Sequence, residues 1–302
     1  MLYGVRSLIY VGLKQNKCGI YDKYNTIFYK ENNFETLIIG SSRAESHFDT
    51  RIVDTIFSTR SYNLGIEGAS LPLVYDIFKI YLEKSEFPQR VILNIDYHIP
   101  KCDNDTVFMF PRYFPYLDNE SLYKILRKRD PRFVYFKYLP FYSLAFTGDR
   151  YLSASLRGFF NMPSAYDFSY NNGYAPVMPL NYVSPAKWNY RKYIACNDPA
   201  TINIVDSISN LCTKNNASLY LVLSPMYKQG QDQIVNREVI FSKLKEKSRV
   251  LGRDLIDYSD WEMISDTGMF ADQFHMNRKG AELFTYHLTK NLKEIERLRG
   301  NK

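Results

Sequence analysis

A serine becomes a nucleophile only when a base stands ready to take its proton, and this chain carries few candidates. Its histidines are His47, His98, His275 and His287. His275 lies in Asp272-Gln273-Phe274-His275-Met276-Asn277-Arg278-Lys279-Gly280-Ala281, with a carboxylate three residues ahead of the imidazole. In a turn, that spacing lets both side chains face one way, so Asp272 can orient His275 or share in a deprotonation. An acidic turn with a capping histidine has the same spelling. The hydroxyls stand in Gly40-Ser41-Ser42-Arg43, at the end of the apolar run Thr36–Gly40. A hydroxyl just past a buried strand sits where backbone N–H groups point outward, and an anion or a developing oxyanion can be held beside it. An ordinary N-cap serine reads alike. The run is not a Gly-x-Ser-x-Gly elbow, because Ala44 stands where the second glycine belongs.

Two further segments follow other apolar runs. Asn63-Leu64-Gly65-Ile66-Glu67-Gly68-Ala69-Ser70 carries two glycines that permit close backbone approach, and an N–H there can donate to the same oxyanion. The run Val91–Asp96 leads into Tyr97 and His98. His47 reads as a hydrogen-bonding turn residue at the edge of the site, and His287 as a surface or half-buried helical residue.

What must position these groups is legible in the hydropathy pattern. Five short runs stand out, most of them apolar on both faces: Thr36–Gly40, Ser61–Leu64, Val91–Asp96, Ser218–Ser224 and Asp254–Tyr258. Such runs fit strands covered from two sides, as in a parallel sheet between helices. Helical patterns alternate with them at Arg51–Phe57, Leu73–Ser85, Ile202–Lys214, Val235–Arg249 and Arg278–Arg297. The last shows Ala281, Phe284, Leu288, Thr289 and Leu292 on one stripe. The alternation predicts a three-layer α/β/α fold with a doubly wound, mostly parallel five-stranded sheet, whose ligands bind at the carboxyl ends of the strands. It fails between Cys102 and Ala195, a proline-dotted stretch dense in Tyr and Phe. We read residues 1–30 as an N-terminal helical segment and 31–299 as the α/β domain, with 102–195 as a cap-like, aromatic-rich insertion after the third strand.

Composition narrows the class. At 302 residues and 45% hydrophobic content the chain can bury a substantial core, and 24% charged residues argue against disorder. The 26 Tyr and 20 Phe outnumber all Lys and Arg, which suggests aromatic surfaces as well as a core. A net charge of +7 invites an anionic partner, yet most basic residues interleave with acids, as a solvated helix face does. Lys124, Arg127, Lys128, Arg129 and Arg132, followed by Phe133, Tyr135, Phe136 and Tyr138, form the exception and mark a candidate membrane-surface or polyanion patch. Nucleic acid is the least favoured of these partners. Cys18, Cys102, Cys196 and Cys212 are dispersed, with no CxxC pair and no histidine at ligand spacing, so neither a zinc site nor a disulfide-stapled mini-domain is expected. They fit a reducing compartment or an envelope protein with buried thiols. Leu2, Val5, Ile9 and Leu13 recur at helical spacing, but the stretch is shorter than the ~20 residues of a membrane span and contains Arg6.

Taken together, these blocks resemble the SGNH (GDSL-like) hydrolase and acyltransferase superfamily. Gly40-Ser41-Ser42 is similar to its first block, Gly68 to the glycine of its second, and Asp272 and His275 to its Asp-x-x-His block. The tail His275-Met276-Asn277-x-x-Gly280-Ala281 resembles a bacterial branch with D-alanyl transfer and polysaccharide acetylation proteins. The resemblance implies Ser42 as nucleophile, His275 as general base, Asp272 as its orienter, the Ser42 and Gly68 amides as oxyanion donors, and no cofactor. Block spacing favours Ser42 over Ser41. Where the superfamily's third block supplies an oxyanion Asn, this chain has Tyr97 and His98, so either His98, Asp96 or Arg43 contacts the oxyanion or substrate, or the oxyanion hole has two donors. The implied function is an esterase or O-acyltransferase acting on acyl groups of a bacterial surface glycan, at the cell envelope. The alternatives are a non-catalytic glycan-binding or assembly protein that works with a membrane acyltransferase, and a cytoplasmic location.

Overall fold

All five runs become strands, and the three richest in Leu, Ile and Val are buried along nearly their whole length, because such residues are stable only when covered on both faces. They are β1 (Thr36–Ile39), β2 (Ser61–Asn63), β3 (Arg90–Asn94), β4 (Ser218–Leu223) and β5 (Asp254–Asp257). The computed structural model describes residues 1–17, 19–97, 107–162, 172–177 and 191–300, and His98 lies outside them. The strands form one parallel sheet in the order β2-β1-β3-β4-β5. The chain leaves β1 toward β2 on one side and returns to place β3 on the other. That reversal puts a crevice between the carboxyl ends of β1 and β3, where ligands of open α/β sheets bind.

The helices are α1 (Leu2–Gln15), α2 (Gly19–Phe28), α3 (Ser42–His47), α4 (Thr50–Phe57), α5 (Leu71–Leu82), α6 (Glu120–Arg129), α7 (Phe133–Tyr138), α8 (Pro140–Leu144), α9 (Asp149–Phe159), α10 (Pro199–Lys214), α11 (Lys228–Gln231), α12 (Arg237–Leu251) and α13 (Arg278–Gly300). Alternate strand residues Ile38, Ile92, Tyr220 and Val222 share a core with Phe48 after α3, Val53 of α4, and Phe284, Leu288 and Leu292 of α13. The stripe read on α13 is thus its buried face. Ala281 and Thr289, on the same stripe, are also fully covered. Strand residues of the opposite register, such as Leu219, Leu221 and Leu223, point to the other side. There α10 packs on β4 and α12 on β5.

The chain divides into two compact units: Met1–Asn32, Asp76–Glu86 and Asn104–Tyr170 make one, and Asn33–Tyr75, Phe87–Asp103 and Asn171–Lys302 the other. The second holds the whole sheet. In the first, the described part of the proline-dotted stretch is helical, from a 3-10 segment at Phe110–Tyr116 through α6, α7, α8 and α9. Its aromatics form a core of their own: Phe136 packs on Phe110, Phe114, Phe133 and Phe146. Helices α1 and α9 meet at Gly12 and Gly158, where a side chain on either would collide with the partner helix. Of the N-terminal stripe only Ile9 and Leu13 are buried, while Leu2 and Val5 are exposed. The basic cluster is partly neutralised, with Arg129 paired to Asp76 at 2.6 Å and Arg132 to Asp130 at 2.7 Å. Among the described residues no helix is long and apolar enough to cross a membrane.

Candidate active site

Gly40 ends β1 at φ +151°, and a Cβ there would stand 2.7 Å from the Ala44 side chain and 3.0 Å from the Asn94 carbonyl. Only glycine lets the strand turn this tightly into α3. The turn makes Ser41 the N-cap of α3 and Ser42 its first residue. The capping role read for these serines is not what Ser41's side chain does: its Oγ donates to Asp96 Oδ2 across the crevice between β1 and β3.

Ser42 Oγ lies 2.9 Å from His275 Nε2, a residue 233 positions later in the chain. On the far side of the ring, His275 Nδ1 is 2.9 and 3.0 Å from the two oxygens of Asp272. An ionised carboxylate only accepts, so Nδ1 carries the proton and Nε2 is left to accept from the Ser42 hydroxyl. Asp272 Oδ1 also accepts the backbone N–H groups of Phe274 at 2.7 Å and His275 at 2.8 Å, which locks the turn. Burial would raise the Asp272 carboxyl, but the His275 hydrogen bond and charge and those two amides outweigh it and hold the group below the ordinary carboxylate range. Both side chains keep some access to solvent, 23% for His275 and 32% for Asp272.

The turn is fixed from both ends. Ala271 N–H donates to the His275 carbonyl at 2.9 Å. Asn277 accepts from Gly280 N–H at 3.0 Å and donates to the Gly268 carbonyl at 2.8 Å, anchoring the start of α13. His47 is fully buried and joins the two halves of the site: its Nε2 accepts Met276 N–H at 3.0 Å, and its Nδ1 faces Ser224 Oγ at 3.2 Å. A backbone N–H can only donate, so His47 is held with Nε2 bare and the proton on Nδ1.

The segment after β2 runs on beside the same turn. Ile66 N–H bonds to the Gly40 carbonyl at 3.1 Å. Gly65 allows the loop to touch the backbone of Glu45, and Gly68 turns it at φ +72°. Asn63 is buried beneath, its amide donating to the Ala44 carbonyl at 2.7 Å and the Phe48 carbonyl at 3.1 Å while its oxygen accepts Gly65 N–H at 2.9 Å. Asn63, Asn94 and Ser224 have no role of their own in the sequence-based expectations, although each is a polar residue at or just past the end of a strand.

Arg43, a candidate for the oxyanion or substrate, lies beneath the turn. It is fully buried, with its guanidinium on Asp96 at 3.3 Å, on the Pro225 carbonyl at 3.2 Å, on the Ser224 carbonyl, and over the Tyr97 ring. These contacts brace the turn. Tyr97, likewise buried, packs edge-on against Phe241, and burial pushes its hydroxyl up to about 12. Asp96 is held by Ser41, Arg43 and Asn94 and lines a cavity beside them. His287 faces Trp261 at 5.8 Å between rings. Cys196 is disulfide-bonded, so the cysteines are not all thiols, and Cys212 is a buried free thiol. Among the described residues no group of three or more His, Cys, Asp or Glu is placed to hold a metal ion.

No family model matches this chain, and no curated protein matches it. Solved structures similar to it include a Bacteroides fragilis chain named as an acylhydrolase candidate, 12% identical over 90% of this chain and 95% of that one, with a TM-score of 0.42. Another is a Desulfitobacterium hafniense chain named as a lipolytic protein candidate of the G-D-S-L family, 8% identical over 85% of this chain and 98% of that one, with a TM-score of 0.40.

Proposed function

We propose that this protein is a serine-dependent esterase or O-acyltransferase. The observation that carries the reading is the continuous chain of hydrogen bonds from Ser42 Oγ through His275 to Asp272. His275 Nε2 takes the Ser42 proton as Oγ attacks the ester carbonyl, and Asp272 stabilises the imidazolium that forms. The amides of Ser42 and Gly68 are assigned to the oxyanion. The imidazolium then protonates the leaving alcohol. Water or an acceptor hydroxyl, deprotonated by the same ring, attacks the acyl-enzyme and frees Ser42. Where the resembled superfamily has its third oxyanion donor, this chain has the buried Tyr97 and His98, which lies outside the described residues, and a two-donor oxyanion hole is one reading of that departure. Loss of one such donor costs ~10²–10³ in rate, so slow turnover is expected.

The finer reading is that the acyl group belongs to a bacterial surface glycan and that the protein works at the cell envelope. It is supported by the sequence resemblance, and the disulfide at Cys196 favours an oxidising compartment over the cytoplasm. Fractionation of cells expressing the chain tests the location, and a wholly soluble cytoplasmic pool overturns it.

A fluorophosphonate probe, followed by peptide mapping, tests the chemistry directly. Labelling at Ser42 that is lost in Ser42→Ala, together with Ser42-dependent hydrolysis of p-nitrophenyl acetate, is the expected result. A folded protein that neither labels nor turns over ester is a binding or assembly protein instead.

A further inference from the structure

We infer that the cavity beside Ser41 receives the acyl part of the ester, and that it selects acyl groups with about two to three carbons beyond the carbonyl. The inference rests on Ser42 being the nucleophile and adds to it a substrate class.

The cavity lies in the crevice between the carboxyl ends of β1 and β3. Its walls include Gly40 and Ser41, the two residues before Ser42, and Ala69, the residue after Gly68. It therefore adjoins both segments assigned to the oxyanion, where the carbonyl carbon must stand when Ser42 attacks. The rest of the wall is largely hydrocarbon, with Val74, Val205, Ile240 and Leu244 all buried. Several of its polar groups are engaged with one another: Ser41 with Asp96, Asn94 with Asp96, and Thr201 with Asp198. Asn197 Oδ1 is a buried wall acceptor with no partner among the described residues and could take one hydroxyl, but a sugar carrying several hydroxyls would leave the rest against hydrocarbon, whereas an alkyl chain gives up nothing. The acyl side of the ester fits this cavity, and the alcohol side must face outward.

Size sets the chain length. The cavity measures about 60 Å³. A dry cavity of ~150 Å³ takes a six-carbon ring, so this one has room for roughly two to three carbons. Acetyl underfills it, butyryl fills it, and octanoyl overruns it.

The test is a series of p-nitrophenyl esters from acetate to octanoate, on wild type and on two wall variants. In wild type, kcat/KM rises about fourfold for each added methylene up to butyrate, then falls at least about tenfold by octanoate as the added chain finds no room. Val74→Phe fills the cavity: butyrate loses about tenfold or more while acetate stays within about threefold. Leu244→Ala enlarges it and moves the optimum to a longer chain, which keeps the idea testable if Val74→Phe does not fold. A chain-length profile that is flat and unmoved by a folded Leu244→Ala overturns the pocket while Ser42-dependent acetate hydrolysis keeps the nucleophile. Absence of any ester turnover and of phosphonate labelling overturns both.

Discussion

Ser41 and Ser42 are adjacent, both follow β1, and each hydrogen-bonds one side chain across the site, yet the two hydroxyls meet opposite chemistry. Ser41 donates to Asp96, a carboxylate whose charge is matched by the buried Arg43 guanidinium. A carboxylate so held accepts the hydrogen bond of the hydroxyl, which serves as a structural tie between the β1 and β3 ends. Ser42 meets an imidazole whose opposite nitrogen is already committed to a carboxylate. That ring can accept a proton and keep the resulting charge paired. One residue along the chain separates a strut from a reactive group, and the difference lies wholly in what each hydroxyl faces.

The largest effect that can break this contrast comes from removing each oxygen in turn. Ser42→Ala is expected to lower kcat for nitrophenyl esters by ~10⁴–10⁶, and Ser41→Ala by less than ~10. The reverse order would make Ser41 the nucleophile. Next comes the carboxylate behind the ring. Asp272→Asn frees the other tautomer and should cost ~10⁴ in kcat with little change in KM. Its stability signature has a defined sign. The folded Asp272 carboxyl titrates below its unfolded value, so its contribution is complete above the ordinary carboxylate range and is lost as pH falls through the folded value. Urea melts of Asp272→Asn should lack that part of the acid limb.

On the strut side the expected loss is of stability. Arg43 and Asp96 are 0% and 6% exposed, and removing one charge strands the other. Asp96→Ala should therefore cost about 3–5 kcal/mol in urea denaturation, and pairing it with Arg43→Met should recover most of that loss. If Asp96→Ala is instead stable and catalytically dead, Asp96 belongs to the chemistry and the contrast between the two serines fails.

How much of this was readable beforehand follows from the range of each interaction. β1, β3 and β4 were legible because burial on both faces spells a nearly unbroken apolar run, and α13 because Phe284, Leu288 and Leu292 repeat at one helical face. Asp272 and His275 were legible because their pairing is local, three residues apart. The tie of Ser41 and Arg43 to Asp96 spans more than fifty residues and exists only because β3 lies beside β1. No spacing rule announces it. The helices of the insertion were hidden for another reason. Pro140 opens α8 and Pro115 sits inside a 3-10 turn, so residues that look like breaks are partly starts. In α1 the apolar residues run round the helix, and a stripe drawn through Leu2 and Val5 selected exposed positions along with the buried Ile9 and Leu13.

The smallest predicted effect concerns the residue that keeps strut and reactive group in register. His47 hangs from the end of α3 and reaches both Ser224 after β4 and the amide that follows His275. His47→Leu leaves Met276 N–H buried with no acceptor, a loss of about 1–3 kcal/mol, and lets the His275 turn drift from Ser42. A misplacement of ~1 Å can cost up to ~10² in rate, and kcat should fall about tenfold with KM nearly unchanged. His47→Gln can place its amide oxygen where Nε2 stood, so it should restore most of the rate and the phosphonate labelling of Ser42. A purely space-filling role predicts the opposite ranking, because Leu fills a buried apolar site better than Gln does. If Leu outperforms Gln, the register of Ser42 and His275 is held by the Asp272 turn alone.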